Sequence, residues 1–223
     1  MGKVTIFEET TKNPITLIGQ RAGCCWGSPI DDPEKNYKRG LECLDNNHGR
    51  TLEFPDIEMM LDGYSAKVIR EWYTHIGGAP TRLQASTRYI DYKGFEVVEP
   101  PKVKDNEEAD KIWSDCVENI RESMTKLLEI GMPKEDASML LPLSMKTRIV
   151  DKRNLRNFID MTRQRLCTRA YWEYRELMRD IIKALSEYSD EWKTICDRYF
   201  MPKCEVLGYC PERYGCGRKE KRK

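Results

Sequence analysis

No stretch of this 223-residue chain approaches the run of about 18 apolar residues that a membrane span requires, which excludes a helical membrane protein. The opening segment MGKVTIFEETTKNP lacks the apolar centre of a secretory signal, so the expected compartment is the cytoplasm. The chain also has no internal repeat and no Cys-x2-Cys knuckle. Its nine cysteines are odd in number, and Cys24, Cys25, Cys43, Cys116 and Cys167 are scattered through segments patterned as regular structure. That distribution argues against a secreted disulfide framework. A large net charge is missing too: the formal balance is +1, which speaks against broad nucleic-acid binding.

Core-forming side chains, by contrast, are plentiful. Hydrophobic residues make up 39% of the chain, with five Trp and eleven Tyr, enough for a folded core. The length suits one domain over 1–200 with a short appendage over 201–223. Charge is segregated: Asp91 to Asp136 carries thirteen acids against seven bases, and Met145 to Ile182 carries ten bases against five acids. A positive band of that kind suits phosphates on a ligand.

The patterning predicts an α+β fold in which a mixed sheet packs with long helices. The first third mixes strand and helix signals, with an apolar run at Ile15 to Ile18, a helix from Pro33 to Asp45 and a short apolar stretch from Ile57 to Leu61. Val68, Ile69, Trp72, Tyr73 and Ile76 recur at helical steps behind Ser65, a suitable N-cap, until Gly77-Gly78 stops them. TRLQASTRYIDYKGFEVVEPP reads as a polar functional loop feeding an edge strand. Asn106 to Ile130 has the spacing of a long amphipathic helix. MKTRIVDK alternates like a strand, and helices follow from Asn154, from Tyr171 to Tyr188 and from Glu191 to Phe200.

Two segments carry candidate chemistry. In QASTRYIDY, a hydroxyl at Ser86, the Arg88 guanidinium and free backbone N–H groups offer donors to a phosphate or a pyrimidine carbonyl. A turn with a capping Ser and a surface Arg has the same pattern. In NLRNFIDMTRQRLCTRAYWE, Asn154 and Arg165 are eleven positions apart, nearly three helical turns, which sets them on one side about 16 Å apart. Arg156 and Arg163 point away from that side. A solvated basic face is the competing explanation for this helix.

These segments, in this order, resemble flavin-dependent thymidylate synthases. The family shows an early His and Glu motif, an Arg-His-Arg helix end, a Ser-x-Arg-Tyr loop, an Asn-x-Arg pair and, nine residues on, an Arg before Ala-Gln-Trp-Glu. This chain has NHGRTLEF, REWYTHIGGAPTRLQASTRY, NLR and RLCTRAYWE. LPLSMKTRIVDK and AGCCWGS resemble further family segments, so the likeness runs over about residues 15–200. It implies a homotetramer in which FAD and dUMP meet at subunit junctions. By this analogy Ser86, Arg88 and Arg165 hold dUMP and polarise its ring, with Gln84 nearby, while His48, His75, Asn154 and Arg156 contact the flavin. The implied reaction moves a one-carbon unit from methylenetetrahydrofolate to uracil C5, with NADPH as the reductant. No membrane or nucleic-acid partner is implied.

Three departures stand out. Thr74-His75-Ile76 replaces the Arg-His-Arg triplet, Ala137-Ser138 replaces an Ala-Arg pair that contributes to phosphate binding, and Phe54 replaces a His. Losing one charged contact costs about 1.5 to 3 kcal/mol unless another group compensates. Arg82, Arg148, Arg163 and Arg169 are the candidates to do so. The readings left open are a divergent synthase, a related flavoenzyme acting on another pyrimidine nucleotide, and a nucleotide-binding protein without catalysis. In the tail, Cys196, Cys204, Cys210 and Cys216 are separated by seven, five and five residues, a spacing compatible with a structural zinc site or with packed free thiols.

Overall fold

Alternating side chains build the centre of the molecule. The computed structural model describes residues 2–222. Four strands, β1 (Lys3–Ile6), β2 (Asp56–Ser65), β3 (Thr81–Gln84) and β4 (Lys146–Asn154), form one sheet in the order β1-β2-β4-β3. The α+β expectation holds, but the sheet is antiparallel throughout, not mixed. β2 and β3 run the same way yet never pair, because β4 lies between them. Ile57, Met59, Leu61 and Ile149 are fully buried on the inner face. Glu58, Met60, Val150 and Lys152, at the alternate positions, face outward and remain partly or fully exposed. The ladder slips between Asp62 and Tyr64, where Gly63 takes φ 78°.

Ten α-helices and two short 3-10 helices complete the described chain. The Ile15 to Ile18 run lies in α1 (Pro14–Cys25), where Pro14 starts the first turn and Ile15, Ile18 and Ala22 are buried on one face. It crosses α2 (Pro33–Asp45), whose N-cap Asp32 accepts from the backbone N–H groups of Glu34 and Lys35. α3 (Ala66–Trp72) has the Ser65 cap the sequence predicts, with Oγ accepting from Val68 N at 3.1 Å. It ends one turn sooner than Ile76. After α4 (Pro101–Lys104) comes the long helix α5 (Glu107–Glu129), capped by Asn106, and then α6 (Lys134–Ala137). The sequence closes with α7 (Leu155–Arg165), α8 (Trp172–Tyr188), α9 (Asp190–Tyr199) and α10 (Lys203–Leu207).

The main core forms where α3, α7, α8 and α9 cover the inner sheet face. Trp72, Phe158, Tyr174 and Trp192 are all fully buried there, and burying each such side chain is worth on the order of 1.5 to 3 kcal/mol or more. A smaller cluster of Phe95, Val117, Met124 and Met145 seats α5 beside the end of β4. The order of loop and edge strand is the reverse of the sequence reading. Thr81 to Gln84 pairs with β4 as the edge strand, and the polar loop follows it, with only Val97 bridging back to Met145. Among the described residues no helix is long and apolar enough to cross a membrane.

Candidate active site

Helix α7 organises the candidate residues. Asn154 is its N-cap: Oδ1 accepts from Asn157 N at 2.9 Å, and the side chain is nearly buried. Arg165 sits in its last turn, where Nε donates to His75 Nε2 at 3.0 Å and Nη1 donates to Glu71 at 3.1 Å. Its guanidinium also lies 4.5 Å from the Tyr174 ring centroid. The stretch between these two side chains is not open. The turn after α3 runs along it, with His75 at the Arg165 end and Gly78 at the Asn154 end. Gly78 adopts φ 72°, and a Cβ there would fall 2.3 Å from the Asn154 amide nitrogen. Only glycine satisfies both the left-handed backbone and this close approach.

The Arg165 contact fixes the state of His75. A guanidinium only donates, so Nε2 accepts and the ring is neutral with its proton on Nδ1. Burial, then the cations Arg165 and Arg153, pull the His75 pKa down from 6.5 to about 4. His75 is therefore a neutral acceptor that orients Arg165.

Beneath this cluster lies a group that the sequence reading missed. Asp151 and Arg153 point from β4 into the core and are 0% and 2% exposed. They form a bidentate pair, both contacts at 2.6 Å. Trp72 Nε1 donates to Asp151 at 2.8 Å, and Arg153 donates to Asn157 at 2.7 Å and contacts the Met161 sulfur. Alternation along KTRIVDKRN places both residues on the inner face, and two charges at inward positions were the available signal. Glu173 is a second such anchor, buried and accepting from the backbone N–H and hydroxyl of Ser65 at 2.6 and 2.5 Å. It ties the start of α8 to the start of α3.

His48 and Arg156 share a different, exposed patch. The Glu53 carboxylate accepts from Arg156 at 2.6 Å and from Arg50 at 3.0 Å. The Arg156 bond, more than Arg50, lowers the Glu53 pKa. Arg156 packs on Gly49, and the His48 ring lies edge-on to Trp26 at 6.2 Å. Trp26 and Phe54 are both 51% exposed. Flat aromatic surfaces beside guanidinium and imidazole groups match the flat ring and anionic phosphates of a flavin nucleotide, so this donor set fits that cofactor.

The Gln84 to Arg88 segment is separate from both clusters. Ser86 Oγ accepts from Arg88 N at 3.1 Å in a tight hydroxyl turn, and Arg88 Nε donates to Glu135 at 2.7 Å. Gln84 reaches only Thr147 Oγ1, at 3.4 Å. Gln84 lines an open hollow of about 730 Å³ on the outer sheet face together with Arg148, which is paired to Asp62 at 2.5 Å. Arg165 lines another cavity, of about 750 Å³, with Arg163 and Arg169. Arg82 lines neither: it donates to Tyr73 O at 3.0 Å and stacks 4.4 Å from that ring. Of the arginines considered as replacements, only Arg163 and Arg169 share a cavity with Arg165.

The zinc expectation does not survive. Among the described residues no group of three or more His, Cys, Asp or Glu is placed to hold a metal ion. Cys196 belongs to the main core, its thiol directed at Ile182 O, and burial raises its pKa to about 11. Cys204 and Cys210 are buried in the tail while Cys216 is exposed. Cys196 lies in the main core and Cys216 on the surface, so the fold does not bring the four thiols together.

The profile of a family described as "Thymidylate synthase complementing protein" matches residues 7–189. The flavin-dependent thymidylate synthase of Pyrococcus horikoshii is 31% identical over 174 residues, which covers 76% of this chain and 71% of that protein. The Pyrococcus furiosus protein of the same name is 29% identical over 240 aligned residues, covering 100% of this chain and 96% of its own length. That of Clostridium tetani is 25% identical over 243, covering 98% and 94%. With most of its length matched by the family profile, the chain belongs to the thymidylate synthase complementing protein family.

Proposed function

We propose that this protein methylates dUMP to dTMP in a flavin-dependent reaction, with methylenetetrahydrofolate as carbon donor and NADPH as reductant, in the cytoplasm. The observation that carries the reading is the retained set of Ser86, Arg88, Asn154, Arg156 and Arg165, in family order, within a family match that spans most of the chain. In this reading residues 201–223 are an appendage to the catalytic domain.

Arg165 binds the pyrimidine nucleotide. Its guanidinium, oriented by His75 and Glu71, stabilises negative charge that develops on the uracil carbonyls as C5 becomes nucleophilic. Ser86 and Arg88, with Gln84 beside them, supply further donors to the nucleotide. His48, Arg156, Asn154 and His75 border the FAD site, where Arg156 is held by Glu53 and Asn154 fixes the start of α7. FAD, once bound and reduced, supplies the reducing equivalents for methyl formation. The Ser86–Arg88 loop and the Arg165 cluster share no hydrogen bond within one chain. A homotetramer in which one subunit's loop completes its neighbour's Arg165 cluster accounts for this separation, and for the exposure of Arg88.

The purified protein is expected to absorb near roughly 450 nm from bound oxidised flavin, and to form dTMP when given NADPH, methylenetetrahydrofolate and dUMP. A colourless protein that FAD cannot reconstitute would refute the flavoenzyme reading. Product from another pyrimidine nucleotide alone would replace dUMP as the substrate.

A further inference from the structure

The cavity of about 750 Å³ beside Arg165 is closed on one side by the C-terminal appendage. Six cations line it, Arg163, Arg165, Arg169, Lys203, Arg218 and Lys219, against two acids, Asp160 and Glu212. Four of the cations have acidic partners: Asp160 for Arg163, Glu71 for Arg165, Glu212 for Arg169 and Glu205 for Lys219. Lys203 and Arg218 have none among the described residues. The Arg163 Nε is also buried without a hydrogen-bond partner. Three of the six cations, Lys203, Arg218 and Lys219, lie beyond residues 7–189, the span of the family match.

Cations gathered around a partly enclosed space repel one another, and an anion there relieves that repulsion while satisfying donors that otherwise have no partner. The volume falls within the range of about 300 to 1,000 Å³ common to small-molecule sites and is ample for a nucleotide. The appendage itself is held against the domain by Arg169, which donates to Glu212 and to Tyr214 O at 3.1 and 3.0 Å. Lys203 and Arg218 line the same cavity as the end of α7.

We propose that this cleft binds a phosphate-bearing small molecule of nucleotide size, with Lys203 and Arg218 engaging its phosphate. Because Arg165 lines the same cavity, the identity of the ligand rests on the proposed reaction: the phosphate belongs either to dUMP or to NADPH. In both cases the chemistry recognised is a phosphate on a nucleoside, and the appendage supplies cations lost elsewhere in the site.

Cys216 provides the readout. It is exposed on the cavity wall, and a hydrogen bond from Thr168, then the backbone of Arg218, lower its thiol pKa, which favours alkylation. The full-length protein is titrated separately with dUMP, NADPH and inorganic phosphate, and iodoacetamide modification of Cys216 is followed by peptide mass spectrometry. One nucleotide is expected to slow that modification by about fivefold or more, with a midpoint below that of inorganic phosphate. In Lys203→Ala/Arg218→Ala the midpoint should rise by roughly 100-fold, about tenfold for each lost charged contact. Lys203→Arg/Arg218→Lys should retain most of the affinity. Protection by dUMP assigns the cleft to the substrate, and protection by NADPH assigns it to the reductant.

The proposal is overturned if neither nucleotide protects Cys216. It is overturned equally if the double alanine variant, with an unchanged circular dichroism spectrum, keeps the wild-type midpoint. Formation of dTMP without protection would sink the cleft alone. Protection without any dTMP would sink the reaction and leave the cleft standing.

Discussion

The two ends of the candidate site are built on opposite principles. The Arg165 guanidinium is already engaged: His75, Glu71 and Tyr174 hold it, and the buried Asp151–Arg153 pair supports the floor. Around Arg88 almost nothing is fixed. Its side chain is 65% exposed and its one ion pair is to Glu135 on the surface. The first cluster is preorganised by a single chain, so a ligand meets it with little left to order. The second must gain its order from a ligand or another subunit, and its ion pair adds little to stability.

The largest effect that could break this comparison is expected at the floor. Asp151→Ala leaves Arg153 buried without its partner and should cost about 3 to 5 kcal/mol, measured by urea denaturation. A loss below about 1 kcal/mol would show that the floor does not support the Arg165 cluster. Next is Arg165→Ala, expected to weaken dUMP binding by roughly 10- to 100-fold while flavin binding changes much less. Equal loss of both ligands would contradict the division between nucleotide and flavin residues.

Smaller effects sharpen the contrast. Gly78→Ala forces a Cβ into the left-handed region and against the Asn154 amide, at a cost of about 1 to 3 kcal/mol; thermal melting tests it, and an unchanged midpoint would mean that the turn does not lean on α7. For His75 the folded pKa of about 4 lies below the free value of 6.5. The unfolded chain therefore binds the extra proton first, so this stabilisation is complete above pH 6.5 and is lost as pH falls toward 4. Melts at pH 7 and pH 5 should show the loss, and His75→Gln should reduce it. The smallest effect on stability is expected from Arg88→Ala, within about 0.5 kcal/mol even where activity falls, and a larger change would erase the distinction between the two ends.

Much of the framework was legible because local signals agreed with tertiary demand. Ser65 caps α3 as its position predicts, the helices expected from Asn106 and Asn154 start there, and β4 forms where MKTRIVDK alternates. The strand and helix signals around Ile15 were settled by packing, since α1 buries Ile15 and Ile18 against the core. The cysteine spacing misled because separation along the chain says nothing about depth: Cys196 is a core thiol, and Cys216 is a surface one.

The sequence by itself determined the family motifs, their order, the Ser65 cap and the periodicity of the principal helices, since these depend on neighbours within a few residues. Tertiary structure alone decided that the turn carrying His75 and Gly78 lies along α7, that Asp151 and Arg153 form a buried floor, and that Lys203 and Arg218 line one cavity with Arg163. Each of these pairs residues that are distant in sequence or aimed inward by packing, and only the folded chain brings such charges close enough to act on one another.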